Sequence, residues 1–416
     1  MKEILLIDLI AKTRDAIKPL KHSKSTQWQY DYAWRELSNY FTRIGVSQFS
    51  SSLANQYVLD AHQRYKIAEL AEWKFKLIRK SISLLMQYYE YGSVKWQFLP
   101  SWNKPSLNSE KYTCILHSYI NQLKREEYGQ GTIEIRKSIA KKFFNYLEQE
   151  EIHDLLSLTL DAVSNFVPYV SKFYQSSSMG TVFSALRSFL TFASLSKLTP
   201  TNLARAIPSG FGRKTSIIPV ITLSEEDKLL AVINHETATD KRGYAILLLS
   251  LRLGLRAVDI VNLKFGNISW RTNTIEIIQQ KTGRALTIPL LADIGNAIVD
   301  YLLHGRPQSL ESYIFLRIQA PYTKLSGHSS IYHVVSMYMK KAGIRQSEGE
   351  QRGSHCLRHT VAARLLATEA PLPIISSILG HADKNSARVY LSTDLEHLRA
   401  CALGLDGIEV AKKELQ

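Results

Sequence analysis

The chain is 416 residues long, 45% hydrophobic and 21% charged. That balance excludes a disordered protein, and the length predicts two or three domains rather than one core. Lys and Arg total 52 against 37 Asp and Glu, a net charge of +15, which points to a polyanionic partner.

The N-terminal Ile4-Leu5-Leu6-Ile7 is broken by Asp8, so it is too short for a secretory h-region. No stretch reaches the roughly 18–20 apolar residues of a bilayer span. Three cysteines, Cys114, Cys356 and Cys401, are odd in number and far apart. They fit a reducing cytoplasm rather than a disulfide framework. Pro and Gly cluster in two stretches, around Pro100 and Pro105 and from Pro200 to Pro219. Such clusters mark boundaries, and they predict domains at 1–100, 109–200 and 215–416. The positive excess is spread over all three, +7 in residues 1–108 and +4 in each of 109–214 and 215–416, as in a protein that wraps its partner.

The first two segments read as helical. Tyr30, Trp34, Leu37 and Phe41 recur at steps of three or four residues, as do Ile135, Ile139, Phe143 and Leu147, the spacing of amphipathic helices. Asn39-Tyr40-Phe41 is echoed by Asn145-Tyr146-Leu147, about 106 residues later, which predicts a duplicated helical module. Lys137, Lys141 and Lys142 fit a phosphate-contacting stripe, and equally a solvated helix face.

In the third segment, Ser224 with Glu225, Glu226 and Asp227 reads as an N-cap and acidic first turn. Helices are predicted over 243–255, 292–303, 328–342, 355–368 and 372–379. Between them, 275–279 and 285–289 read as a β-hairpin whose turn is Lys281-Thr282-Gly283-Arg284. The expected fold is mainly α with a small antiparallel β-sheet.

The candidate chemistry is metal-free. No phosphate-binding Gly-Lys-Ser/Thr loop or dinucleotide fingerprint is present, and the acids of the last 200 residues stand singly rather than in an ion-holding cluster. His355 and His359 have ligand spacing, but Cys356 stands where a zinc protease has Glu. Five basic groups and a phenol remain. Phosphoryl transfer without metal needs positive charge for the phosphate oxygens, a nucleophile, and an acid for the leaving oxygen. Arg256 and Arg358 offer planar forks for two oxygens. His355 shares a helical face with Arg358. Lys281 stands at a hairpin tip, and His381 and Tyr390 follow.

These pieces resemble the tyrosine recombinases, the phage-integrase-like site-specific recombinases, over roughly 223–399. The residues are Gly-Leu-Arg-Ala-Val-Asp at 254–259, Lys-Thr-Gly-Arg at 281–284, His-Cys-Leu-Arg-His-Thr at 355–360, Leu-Gly-His at 379–381 and Tyr-Leu-Ser-Thr-Asp at 390–394. The resemblance implies that helical N-terminal domains and a catalytic domain close around duplex DNA as a clamp, with 109–200 as the core-binding domain. It implies a 3′-phosphotyrosine on Tyr390, with His355 taking its proton. Arg256 and Arg358 would clamp the phosphate, His381 would add a hydrogen bond, and Lys281 would protonate the leaving 5′ oxygen. Asp259 would orient Arg256 or a neighbouring histidine; the family more often carries Glu there.

No cofactor is implied. The implied partners are double-stranded DNA and three further copies, a tetramer on two DNA sites, with accessory recombination proteins as a further expectation. The implied location is the bacterial cytoplasm or nucleoid. The length and the extra segment 1–100 fit a mobile-element integrase or transposase, that segment serving accessory DNA binding or subunit contact. The tail after Tyr390 would pack on a neighbouring protomer or in cis. Two alternatives share the fold: a type IB-like topoisomerase on one duplex, and a catalytically silent architectural DNA-binding protein.

Overall fold

The computed structural model describes residues 4–96, 99, 107–208, 218–347, 350, 352–380 and 384–393. Two compact units result: Phe98–Thr215 forms one, and Met1–Gln97 with Ser216–Gln416 forms the other.

The first unit in chain order begins with helices α1 (Leu6–Ile17), α2 (Lys24–Arg43), α3 (Ser51–Lys66) and α4 (Glu72–Tyr91). Tyr30, Trp34, Leu37 and Phe41 line the inner face of α2 as their spacing predicts, and Trp34 Nε1 donates to the Ser81 carbonyl at 3.0 Å. Trp96, just beyond α4, is held between cations. Lys80 Nζ lies 3.9 Å and the Arg317 guanidinium 5.2 Å from its ring centre, contacts that tie the N-terminal helices to the later part of the same unit.

The second unit holds α5 (Glu110–Arg125), α6 (Gln130–Gln149), α7 (Leu160–Ser171) and α8 (Ser176–Leu195). Two of its helices match α2 and α4 in length and spacing. α6 begins at 130 where α2 begins at 24, and α8 at 176 where α4 begins at 72, offsets of 106 and 104. Ala33, Trp34, Leu37 and Phe41 are buried on α2, and so are Ile139, Ala140, Phe143 and Leu147 on α6. Phe75, Ile78, Ile82 and Leu85 on α4 likewise match Met179, Val182, Leu186 and Phe189 on α8. These two helix pairs, each helix of twenty residues, carry buried side chains at matching positions, whereas α1 and α5 have 12 and 16 residues and α3 and α7 have 16 and 12. Ile135, expected on the inner face of α6, is exposed instead.

The rest of the first unit carries the candidate chemistry. α9 (Leu223–Ala231) is capped by Thr222 rather than Ser224: the Thr222 hydroxyl accepts from the Glu225 N–H while the Glu225 carboxylate accepts from the Thr222 N–H. α10 (Ala238–Arg252) and the short α11 (Ala257–Val261) follow. A three-stranded antiparallel sheet is then built in chain order from β1 (Ile268–Ser269), β2 (Thr274–Ile278) and β3 (Ala285–Pro289). Ile275 pairs with Ile288, and both are buried, so one face of the sheet joins the core. The hairpin was legible in the sequence; β1 was not, because two residues carry no period. α12 (Ala292–His304), α13 (His328–Lys341) and α14 (Ser354–Ala367) pack around α10, and α15 (Leu372–Ile378) packs on α14. A 3-10 stretch, Lys384–Thr393, lies against α14 and α15. Among the described residues no helix is long and apolar enough to cross a membrane.

Candidate active site

Arg256 is set by a turn. α10 stops at Arg252, and Gly254 takes φ +60°, a left-handed conformation that suits glycine. Arg256 then stands as the extended N-cap residue of α11. Its Nη1 donates to Gln279 Oε1 at 2.7 Å and its Nη2 to the Gly380 carbonyl at 3.0 Å.

Arg358, on the inner face of α14, is 5% exposed. A guanidinium so placed must find acceptors. Nη1 donates to the Gly254 carbonyl and Nη2 to the Leu379 carbonyl, each at 2.6 Å. Desolvation, and then the neighbouring Arg256, pull its pKa down to about 10, which leaves it cationic at neutral pH. Burial lowers Arg256 in the same direction. Each arginine thus commits two of its five N–H groups to backbone or amide oxygens, a fixed fork rather than a solvated side chain.

Tyr390 is 2% exposed and packs with Val361, Leu366, Ile375 and Leu379. Its phenolic oxygen lies 3.3 Å from His359 Nδ1. Burial raises the pKa of the phenol, and the charges of Arg358 and Arg256 oppose that rise. Both arginines therefore act on the same oxygen. His359 is driven down to about 4 by desolvation, then by His355 and Arg358. It is a neutral imidazole at physiological pH, able to accept a hydrogen bond from the Tyr390 hydroxyl when its own proton sits on Nε2.

His355 lies one helical turn earlier and is exposed, its ring 6.3 Å from that of His359. Desolvation lowers its pKa, with Arg358, Lys281, His328 and Arg256 adding to the effect. Its ring therefore feels the charge of the exposed Lys281 at the hairpin turn. Asp259 is buried, and its Oδ1 accepts from the Gln280 N–H at 2.9 Å. Desolvation raises its pKa; the Gln280 N–H and the charges of Arg256 and Arg358 work against this. Its hydrogen bond thus goes to the backbone of the Lys281 turn. His381 lies outside the described residues, as does the tail from 394 onward.

Two residues without an assigned role in the motif belong to this cluster. His359 touches Tyr390, and the signal for it was its place one turn beyond His355. Gln279 bonds Arg256 across 23 residues, a contact that carries no sequence signal.

The lysines of α6 are partly engaged elsewhere. Lys137 Nζ is 3.8 Å from the Glu134 carboxylate, and Lys142 Nζ sits 4.5 Å from the ring centre of Phe173. Lys141 is half-exposed. In the same unit a cavity of about 490 Å³ runs between α5, α6 and α8, lined by Tyr128, Arg136, Ser184, Arg187 and Thr191 among others. Arg136 stacks on Tyr128 at 4.0 Å, and Arg187 continues into a second cavity with Arg205. Among the described residues, no group of three or more His, Cys, Asp or Glu could hold a metal ion.

Residues 219–397 match the Phage integrase family. The integrase/recombinase y4gC of Sinorhizobium fredii is 37% identical over 194 residues, covering 46% of this chain and 98% of that protein. The integrase/recombinase y4rA of the same organism is 29% identical over 366 residues, covering 88% of this chain and 85% of its own. In fold, the chain is similar to the XerH site-specific recombinase solved with its palindromic difH substrate. The TM-score is 0.53 at 17% identity, over 72% of this chain and 90% of that one.

Proposed function

Since this chain belongs to the phage integrase family and is a tyrosine site-specific recombinase, we propose that it cuts and rejoins duplex DNA through a 3′-phosphotyrosine on Tyr390. The observation that carries the reading is the cluster at one phenol. His359 lies 3.3 Å from the Tyr390 oxygen, and Arg256 and Arg358 both bear on its ionisation.

The Tyr390 oxygen attacks the scissile phosphorus as the bond to the 5′ oxygen breaks. An ordinary tyrosine, with a pKa near 10, is a poor nucleophile at neutral pH, so a base must take its proton. His355 is the exposed base at the mouth of the cluster, and His359 holds the phenol before attack. Arg256 and Arg358 stabilise the charge on the non-bridging oxygens, with His381 as a further donor. Lys281 gives its proton to the departing 5′ oxygen, and Asp259 holds the Lys281 turn through Gln280. Atoms and charge balance without a cofactor: one phosphodiester is exchanged for another, and the 5′-hydroxyl of a second strand reverses the step.

DNA would lie against both units. In the second, Arg136, Arg187 and Arg205 with their neighbouring hydroxyls are the better phosphate ligands, and Lys141 a secondary one. The family's full reaction joins two sites, which calls for a tetramer.

The test uses a duplex chosen by the protein itself from a random pool and nicked just 3′ of the scissile phosphate, so that the short fragment carrying the new 5′-hydroxyl diffuses away and cannot reseal the strand. The wild-type chain is expected to leave a denaturation-resistant protein–DNA adduct, and Tyr390→Phe none while binding the duplex normally. An adduct from Tyr390→Phe would overturn the assignment.

A further inference from the structure

Gln279 is buried at the end of β2 with all of its polar atoms engaged. Oε1 accepts from Arg256 Nη1 at 2.7 Å and from the Thr282 hydroxyl at 2.8 Å. Nε2 donates to the Leu379 carbonyl at 3.2 Å, the same oxygen that accepts from Arg358 at 2.6 Å. The partners fix the orientation of the amide, because two donors face one end and a carbonyl faces the other. The backbone of Gln279 also closes the hairpin: its N–H donates to the Arg284 carbonyl at 2.9 Å and its carbonyl accepts from Gly283 at 2.8 Å.

One side chain therefore joins three parts of the site. Through Thr282 it holds the turn that carries Lys281, through Oε1 it holds Arg256, and through Leu379 it shares an acceptor with Arg358. Gly380 makes room for it. A Cβ there would stand 2.1–2.4 Å from the Gln279 amide, so the glycine and the glutamine interlock.

We propose that Gln279 is a positioning residue for strand cleavage, aiming Arg256 at the scissile phosphate and holding the Lys281 turn in register with it; this rests on the function proposed above. No other common side chain fits both ends. Glu would set a carboxylate oxygen against the Leu379 carbonyl, Met keeps the length and loses all three bonds, and Asn is too short to span them. A positioning role differs from a structural one in what it does to rate. Aiming matters most in the transition state, where charge on the phosphate oxygens grows.

The experiment compares wild type, Gln279→Met and Gln279→Glu on the nicked duplex selected by the wild-type chain. It measures DNA affinity and single-turnover adduct formation. It is then repeated on a duplex whose scissile phosphate carries a methyl group in place of one non-bridging oxygen, and so has no charge for Arg256 to meet. Both variants are expected to bind the charged duplex within about threefold of wild type and to form adduct at least about tenfold more slowly. On the neutral duplex the deficit of Gln279→Met is expected to shrink to at most about threefold. A deficit that persists undiminished on the neutral duplex, a loss of affinity that accounts for it, or rates within threefold on the charged duplex would overturn the proposal. Absence of adduct from the wild-type chain would instead refute the proposed function.

Discussion

The phenolic oxygen of Tyr390 meets Nδ1 of His359 at 3.3 Å, one helical turn beyond the histidine that the sequence motif singles out. The contact is between two buried or half-buried groups whose neutral forms are both favoured. Desolvation raises the phenol and lowers the imidazole to about 4. The phenol is 2% exposed and so is shielded from solvent.

The depressed imidazole gives the fold an acid-side weakness. In the unfolded chain His359 titrates near its ordinary value of about 6.5. Between about 4 and 6.5 the unfolded state therefore binds more protons than the folded one, and stability falls as the pH falls through that window. Thermal unfolding from pH 7.5 to 4.5 should show wild type losing several degrees more than His359→Gln. Parallel curves would show that the imidazole is not desolvated.

Arg256 uses two N–H groups inward, on Gln279 and the Gly380 carbonyl; under the proposed function the remaining three would meet phosphate. A lysine at this position supplies one point charge and cannot serve both sides. Arg256→Lys should slow adduct formation by about 10²–10³ while changing DNA affinity by less than about threefold. A rate within threefold of wild type would remove Arg256 from the chemistry.

Gly380 has φ +63°, and a Cβ there would overlap the Gln279 amide. Gly380→Ala should destabilise the fold by about 2–3 kcal/mol, from backbone strain and forced displacement together. Denaturant unfolding measures this. A loss under about 0.5 kcal/mol would mean that the glutamine is not locked where it is described.

In the second unit, Arg136 and Arg187 share a cavity wall with Thr191 and Ser184. If both meet phosphates, replacing both by alanine should make the dependence of log affinity on log salt shallower by about 1.8. Lys142, which lines neither cavity, should change that slope far less when replaced by Gln. The opposite ranking would return the contact to the lysines of α6.

The legible part of the site is the part that uses ionisable side chains in a recurrent order. Arg256, Lys281, His355, Arg358 and Tyr390 stand out because each type suits one task in phosphoryl transfer. Amphipathic spacing also gave away α2, α6 and the long helices of the catalytic region. What stayed hidden was of a different kind. Gln279 is a neutral amide whose partners are up to 100 residues away. The acceptors for Arg358 are backbone carbonyls that any residue supplies. The ring of Phe173 against Lys142, thirty-one residues away in sequence, likewise has no local signal. Asp259, expected to orient Arg256 or a histidine, feels the charges of Arg256 and Arg358, but its hydrogen bond to the Gln280 backbone has no sequence signal. Local sequence shows which groups are present; only the tertiary arrangement shows which of them another residue has already engaged.

The most direct measurement is to digest the protein–DNA adduct with protease and nuclease and to locate the residual nucleotide by tandem mass spectrometry. A single modified peptide is expected, with a 3′-linked nucleotide on the oxygen of Tyr390 and a free 5′-hydroxyl on the released strand. A nucleotide joined to any other residue, or joined through its 5′ phosphate, would contradict the proposed function.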